Sequence, residues 1–274
     1  MPSTLSAATL NDLRFTLIDG KRAYVVSAVD PSSITGAVDI PAIHKGLPVT
    51  EIGNFSNSKI TSVTIPKSIT TIRGNAFYNC YSLTKFSIPQ DSQLESIDNS
   101  AFYMCLSLAD IDLPKSLYWI GPFAFAGLEK LTAITIPTEV MIIPEGAFLS
   151  CRNLSNVTMH GPIDEIGDNA FAYNHSLKII TLPDTLRTIG TNAFMFSGLS
   201  EGVQIPEGVK SIRDNAFTAC HDLPSVFFFG PAPGIGTDPF QQAGSKVGGF
   251  TIYILPDFED SFASWKKHYN IKVR

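Results

Sequence analysis

Apolar and polar positions along most of this chain keep a rhythm that fits neither one long amphipathic helix nor an isolated strand. Ala-Phe pairs stand at Ala76-Phe77, Ala101-Phe102, Ala124-Phe125, Ala147-Phe148, Ala170-Phe171, Ala193-Phe194 and Ala216-Phe217, separated by 25, 23, 23, 23, 23 and 23 residues. Four residues before each Ala lies an Ile, from Ile72 to Ile212, and seven before it lies Ile, Leu or Val. Downstream of each Phe comes a segment such as "LTKFSIP" (Leu83 to Pro89) or "LTAITIP" (Leu131 to Pro137). Its period-two alternation predicts a short strand with one buried face. Pro66, Pro89, Pro114, Pro137, Pro183 and Pro206 close these strands, because proline donates no ladder hydrogen bond. In two repeats His160 and Phe229 take that place.

So fixed a period belongs to architecture. One unit is too small to bury its own apolar face, whereas units stacked in register set Ile over Ile and Phe over Phe and create one continuous core. Strands of adjacent coils then pair in parallel, about 4.8 Å apart. The Asn before Ala (Asn75, Asn169, Asn192, Asn215) is expected to cap the short turn that carries Ala-Phe. The predicted fold class is a repeat solenoid of about eight to nine coils, with short parallel strands on one face and short helical or irregular turns on the other.

The ends depart from the rhythm. Residues 1–41 read as an N-terminal β cap, with two strands joined by a hairpin at Asp19-Gly20. Residues 42–256 form the array. It opens with the degenerate coil "GLPVTEIG" and Phe55, and closes with Phe240, 23 residues beyond Phe217. Residues 257–274 place Phe258, Phe262, Trp265 and Tyr269 at helical spacing and read as a C-terminal capping helix, with Asp257 as N-cap and Asp260 at N3. A partner-binding amphipathic helix is the alternative. No linker interrupts the period.

The columns resemble the 23-residue leucine-rich repeat of the BspA-like, Treponema pallidum type. That repeat runs Leu-x-x-Ile-x-Ile-Pro, then Val-x-x-Ile-Gly, then Ala-Phe-x-x-Cys. The resemblance extends from about Ile40 to about Pro256 and implies a right-handed arc. The Gly of the pattern is present at Gly121, Gly167 and Gly190, while Arg73, Asp98, Pro144 and Arg213 replace it elsewhere. That turn is therefore not expected to need a positive φ. Proteins of this type are often secreted or surface proteins of host-associated anaerobes, some implicated in adhesion to host matrix or to other bacteria. The resemblance thus implies an extracellular or cell-surface location. The opening "MPSTLSAATLNDLRFTLIDG" has neither a basic n-region nor a continuous apolar h-region, so a surface location would need a leader already removed, and an intracellular location stays open.

Composition narrows the function. Of 274 residues, 44% are apolar, but only 16% are charged, so Ser, Thr, Asn and Gly must build much of the surface. A net charge of -5 leaves no basic face for non-specific nucleic-acid binding. No apolar run is long enough to span a membrane.

Candidate chemistry is sparse. Cys80, Cys105, Cys151 and Cys220 share one column with Leu128, Asn174 and Ser197, which marks a packing position rather than a zinc site. Free buried thiols are expected, and Cys80 and Cys105 are the pair in consecutive coils. His175 and His221 lie two rungs apart, about 10 Å by strand spacing, too far to share a metal. Asp110 and Asp112 offer two carboxylates on one face, suited to acid/base work or to calcium. Lys85 in the adjacent coil is expected to pair with Asp110. The sequons at Asn54, Asn153, Asn156 and Asn174 follow from composition. No phosphate-binding or nucleophile motif is present, so no enzyme, cofactor or metal is expected.

What remains is the outward face of the strands, where solenoids usually bind. The expected strip comprises Lys85, Asp110, Asp112, Thr135, Asn156, Thr158, Thr181, Gln204 and Phe227. Phe227 and Phe229 either anchor a partner there or lie beneath the C-terminal segment. The expected function is protein binding or adhesion, with a host matrix or bacterial surface protein as partner. The alternative is a structural spacer that presents another domain without a high-affinity ligand of its own.

Overall fold

A computed structural model of the chain describes residues 7–18, 20 and 22–274. The backbone winds into a β-solenoid of about eleven turns whose strands form two ribbons. The first ribbon carries the Ile column. It starts with Ala23–Ala28, Leu47–Ile52, Thr71–Ile72, Ser96–Ile97 and Trp119–Ile120, and resumes with Ile142–Ile143, Glu165–Ile166, Thr188–Ile189, Ser211–Ile212 and Gly234–Ile235. Neighbours pair in parallel, so Ile52, Ile72, Ile97 and Ile120 stack in register, as do Ile143, Ile166, Ile189, Ile212 and Ile235.

The first ribbon breaks between Ile120 and Ile143, where a proline removes one of the rung's hydrogen bonds. Arg73, Asp98, Gly121, Gly167, Gly190, Arg213 and Gly236 each donate their N–H to the Ile carbonyl of the preceding coil, at 2.7 to 2.9 Å. Pro144 occupies the same column and has no N–H to give, and the ladder stops there. None of the four glycines among these donors has a positive φ, as expected.

The second ribbon comprises Thr35–Asp39, Lys59–Thr64 and Lys85–Ser87, then Ala133–Ile136 with Asn156–Met159, then Val203–Ile205, Ser225–Phe228, Thr251–Ile254 and Ile271–Val273. Residues 109–113 and 178–182 follow the same course without strand pairing. The two extra residues of the 25-residue coil lie between Pro89 and Leu94.

Ala-Phe turns form the third side. Their Phe rings make a spine from Phe55 to Phe240, with centroids 5.1 to 5.7 Å apart and planes within 17° of parallel. Every ring from Phe55 to Phe217 is fully buried. Alternate N–H groups of each turn point in two directions. Asn75, Phe77 and Asn79 donate to Asn99, Ala101 and Tyr103 of the next coil, while Ala76, Tyr78 and Cys80 donate back to Arg73, Asn75 and Phe77.

This geometry corrects the expected role of the Asn column. Asn75, Asn169, Asn192 and Asn215 have φ between 55° and 59°, as do Ser100 and Phe123. Asparagine recurs because it tolerates the left-handed region, which swings successive N–H groups toward the next coil, rather than because it caps a helix.

The two repeats that lack the strand-closing proline share a second feature. His160 and Phe229 are each followed by Gly-Pro. A Cβ at Gly161 would lie 2.6 Å from the Thr138 carbonyl oxygen, and one at Gly230 would lie 2.7 Å from Glu207 Cα. Only glycine lets the chain cross the coil below so closely, and the proline is displaced two positions downstream.

Both ends differ from a simple cap. Leu13–Ile18 pairs antiparallel with Ala23–Ala28; of the hairpin turn expected at Asp19-Gly20, Asp19 lies outside the described residues. Parallel pairing already begins at Ala23–Ala28 and Thr35–Asp39, within residues 1–41, because those strands bury Val26 and Val38 without an Ala-Phe signature. At the other end, Pro256–Phe262 and Trp265–Lys267 are 3-10 segments rather than one α-helix from Asp257, and the chain finishes in strand Ile271–Val273. Pro256 starts the first segment at N1, which moves the cap position to Leu255. The paired ends bring the turns above the eight or nine counted from Ala-Phe.

Candidate functional site

Every residue of the expected strip lies on the outward side of the second ribbon. Lys85, Asp110, Asp112, Thr135, Asn156, Thr181 and Gln204 are exposed, and Thr158 and Phe227 are half-buried. Pairing places Thr135 beside Thr158, and sets Gln204, Phe227, Tyr253 and Lys272 in one row across four strands. Between these runs the strip is interrupted. Asp110, Asp112 and Thr181 sit in the unpaired stretches 109–113 and 178–182, each bordering a shallow depression, of 230 Å³ and 220 Å³.

The expected ion pair between Lys85 and Asp110 does not form. Among the described residues the ion pairs are Lys67–Asp91, Arg73–Glu51, Lys266–Glu259 and Arg213 with both Glu165 and Asp168. Both Lys85 and Asp110 are solvated, where an ion pair gains under about 1 kcal/mol against the side-chain entropy of holding it.

At the C-terminal end the strip becomes aromatic. Phe227 and Phe229 lie 4.7 Å apart, Phe227 and Tyr253 lie 6.4 Å apart, and the Arg274 guanidinium sits 4.0 Å over the Tyr253 ring. The C-terminal segment covers a different residue. Phe262 and Trp265 pack on Phe228 with centroids 5.2 and 5.5 Å away, because Phe228 alternates inward between two outward neighbours. Phe229 keeps 40% of its surface exposed. Tyr253 and Arg274 were not foreseen from the sequence; the alternation in "TIYI" was the available signal, though it lacks the repeat's Leu and Pro. Phe229 also walls a wider groove of 660 Å³ with Leu182, Pro206, Arg187 and Lys210.

The cysteine column behaves as packing, with one added role. The thiols of Cys80, Cys105, Cys151 and Cys220 are free and buried, and they donate at 3.1 to 3.2 Å to the carbonyls of Phe55, Phe77, Phe125 and Phe194 in the coil below. Asn174 makes the equivalent bond to the Phe148 carbonyl. Burial pushes the thiols of Cys151 and Cys220 up to about 12 and raises Cys105 and Cys80 as well, which suppresses nucleophilic thiolate. Of the four sequons, Asn54, Asn153 and Asn156 are exposed and Asn174 is buried. His160 and His175 are exposed, and His221 lies 2.8 Å from Ser245 Oγ. Among the described residues no three His, Cys, Asp or Glu side chains gather to hold a metal, and no helix is long and apolar enough to cross a membrane.

Comparison with known proteins agrees with this geometry. A family model described as BspA type leucine-rich repeat region matches six copies, over residues 50–178, 95–224 and 142–252. No protein with a curated function matches the sequence. Among solved structures, a leucine-rich repeat protein from Bacteroides ovatus aligns with a TM-score of 0.64 and 23% identity, over 97% of this chain and 76% of that one. A leucine-rich cell surface protein from Faecalibacterium prausnitzii aligns with a TM-score of 0.62 and 23% identity, over 98% of this chain and 94% of that one. At such identity the likeness is one of fold.

Proposed function

Since this chain belongs to the BspA-type leucine-rich repeat family, we propose that it is a non-enzymatic protein-interaction module of a secreted or cell-surface protein. Its partner, a host matrix protein or a bacterial surface protein, lies against the second ribbon. The observation that carries this reading is the aromatic group Phe227, Phe229 and Tyr253, of which Phe229 is exposed, at the end of a strip of mostly polar side chains. Aromatic anchors ringed by near-neutral polar contacts supply most of the energy of protein interfaces. A surface location is supported by the likeness in fold to the leucine-rich cell surface protein from Faecalibacterium prausnitzii.

The test is surface plasmon resonance of the immobilised chain against purified extracellular-matrix proteins and purified bacterial surface proteins. A specific binder is expected. Phe227→Ser with Phe229→Ser, and separately Asp110→Lys with Asp112→Lys, should each weaken it about tenfold or more while the unfolding midpoint stays put. Binding that survives both pairs places the site elsewhere. A chain that binds no member of either panel is a spacer.

A further inference from the structure

The first ribbon carries an apolar patch that the reading above does not use. Tyr118, Trp119, Met141 and Ile142 are 55%, 47%, 57% and 45% exposed, and they occupy outward positions in two consecutive rungs. Equivalent positions elsewhere hold Thr70 and Thr71, Glu95 and Ser96, Asp164 and Glu165, Arg187 and Thr188, or Lys210 and Ser211. The patch is therefore a local departure from a polar column. It coincides with the ladder break at Pro144: no backbone hydrogen bond joins residues 141–144 to 118–121 among the described residues.

The rim of the patch is acidic. Glu95 lies one rung below, where its carbonyl accepts from the Tyr118 and Trp119 N–H groups, and the Asp164 N–H donates to the Met141 carbonyl one rung above. Both side chains are exposed, as is Glu139, and none of the three is in an ion pair among the described residues. Lys115 and Lys130 are the cations of the Tyr118 coil, and Arg187 lies one rung beyond Asp164. Four half-exposed side chains offer on the order of 400 Å², near the size at which exposed apolar patches mark interaction sites. That is about half of what one partner of a stable folded complex contributes. A second copy would also bring the same carboxylates against Glu95 and Asp164. Size and charge together favour a short segment over a second folded copy.

We propose that Tyr118, Trp119, Met141 and Ile142 form a second docking site, for a short extended peptide segment with an apolar centre and a basic residue at each end. Glu95 and Asp164 are three rungs apart, about 14 Å by strand spacing. Two basic residues separated by four positions of an extended chain span about 13 Å, so both carboxylates are met at once.

The probe is acetyl-Lys-Leu-Phe-Leu-Lys-amide, read by tryptophan emission. Of the two tryptophans, Trp119 is exposed and Trp265 is buried, so Trp119 reports the patch. A saturable blue shift is expected, with binding about tenfold or more tighter than for the same peptide with glutamate ends. Tyr118→Ser with Met141→Ser should cost about tenfold or more in affinity. Glu95→Gln with Asp164→Asn should bring the lysine- and glutamate-ended peptides close to equal. The proposal is overturned by an equal response to both peptides, by a response that survives Tyr118→Ser with Met141→Ser, or by no response to either. It also falls if sedimentation shows a dimer that Tyr118→Ser with Met141→Ser dissociates. The Phe227→Ser with Phe229→Ser and the Asp110→Lys with Asp112→Lys proteins should respond as wild type, which keeps this outcome separate from that of the second ribbon.

Discussion

The ring of Phe123 lies across Gly146 of the next coil, so closely that a Cβ at Gly146 would fall 2.2 Å from its Cε1 atom. Both residues have φ of 57°, in the column where other coils place Asn. An L-residue in that region costs roughly 1–2 kcal/mol, and the clash adds to it. Gly146→Ala should therefore destabilise the protein by about 2 kcal/mol or more, measured by urea unfolding. Adding Phe123→Asn should recover part of the loss, since it removes the clash but not the backbone strain. An unchanged midpoint for Gly146→Ala would refute the left-handed turn.

The phenylalanine spine should be most sensitive in its interior. Phe171 stacks on both Phe148 and Phe194, with centroids 5.5 Å away on each side, whereas Phe55 has one spine neighbour, Phe77. Phe171→Ala should cost about 3–5 kcal/mol. Phe55→Ala should cost less and act locally, because solenoid coils contact only their neighbours. Hydrogen exchange distinguishes the two: global loss of protection for the first, fraying confined to the first coils for the second. Equal and global loss in both would contradict nearest-neighbour stacking.

The core was legible in the sequence because packing repeats itself, and each inward column could be read off seven times. Ile166 over Ile189 and Phe171 over Phe194 needed only the 23-residue period. Backbone roles were harder to read. Asn75 suits both a helix cap and the left-handed region, and only the direction of its N–H decides between them. The interruption at Pro144 was visible as a residue but not as a consequence, since the recipient Ile120 carbonyl belongs to another coil. Period two is enough to read which strand positions face solvent, whereas which of Phe227, Phe228 and Phe229 the C-terminal segment would cover depended on contacts 30 or more residues away.

Alkali should loosen the fold through its thiols. Burial raises Cys151 and Cys220 from 9.0 to about 12, so the unfolded chain gives up these protons first. Stability is then fully present below about pH 9 and declines as pH rises toward 12. The urea midpoint should fall between pH 8 and pH 10, and a Cys151→Val, Cys220→Val protein should show a flatter decline over the same interval. If the two proteins lose stability in parallel, tyrosine and lysine titration accounts for the fall and the thiols contribute nothing.

Trp265 should hold the C-terminal coils closed. Its ring meets Phe228 edge-on at 5.5 Å and Phe262 at 5.0 Å, and it is nearly buried on a 3-10 segment with few backbone bonds of its own. Trp265 therefore ties the segment to the stack together with Phe262, beside the pairing of Ile271–Val273 with Thr251–Ile254. Trp265→Ala should cost about 3 kcal/mol or more, and the loss should be local. Exchange protection of Val203–Ile205, Ser225–Phe228 and Thr251–Ile254 should fall, while Thr71–Ile72 and Ser96–Ile97 stay protected, since coupling passes only from coil to coil. Uniform loss along the stack would mean that the solenoid unfolds as one unit and that Trp265 is no more than another core residue.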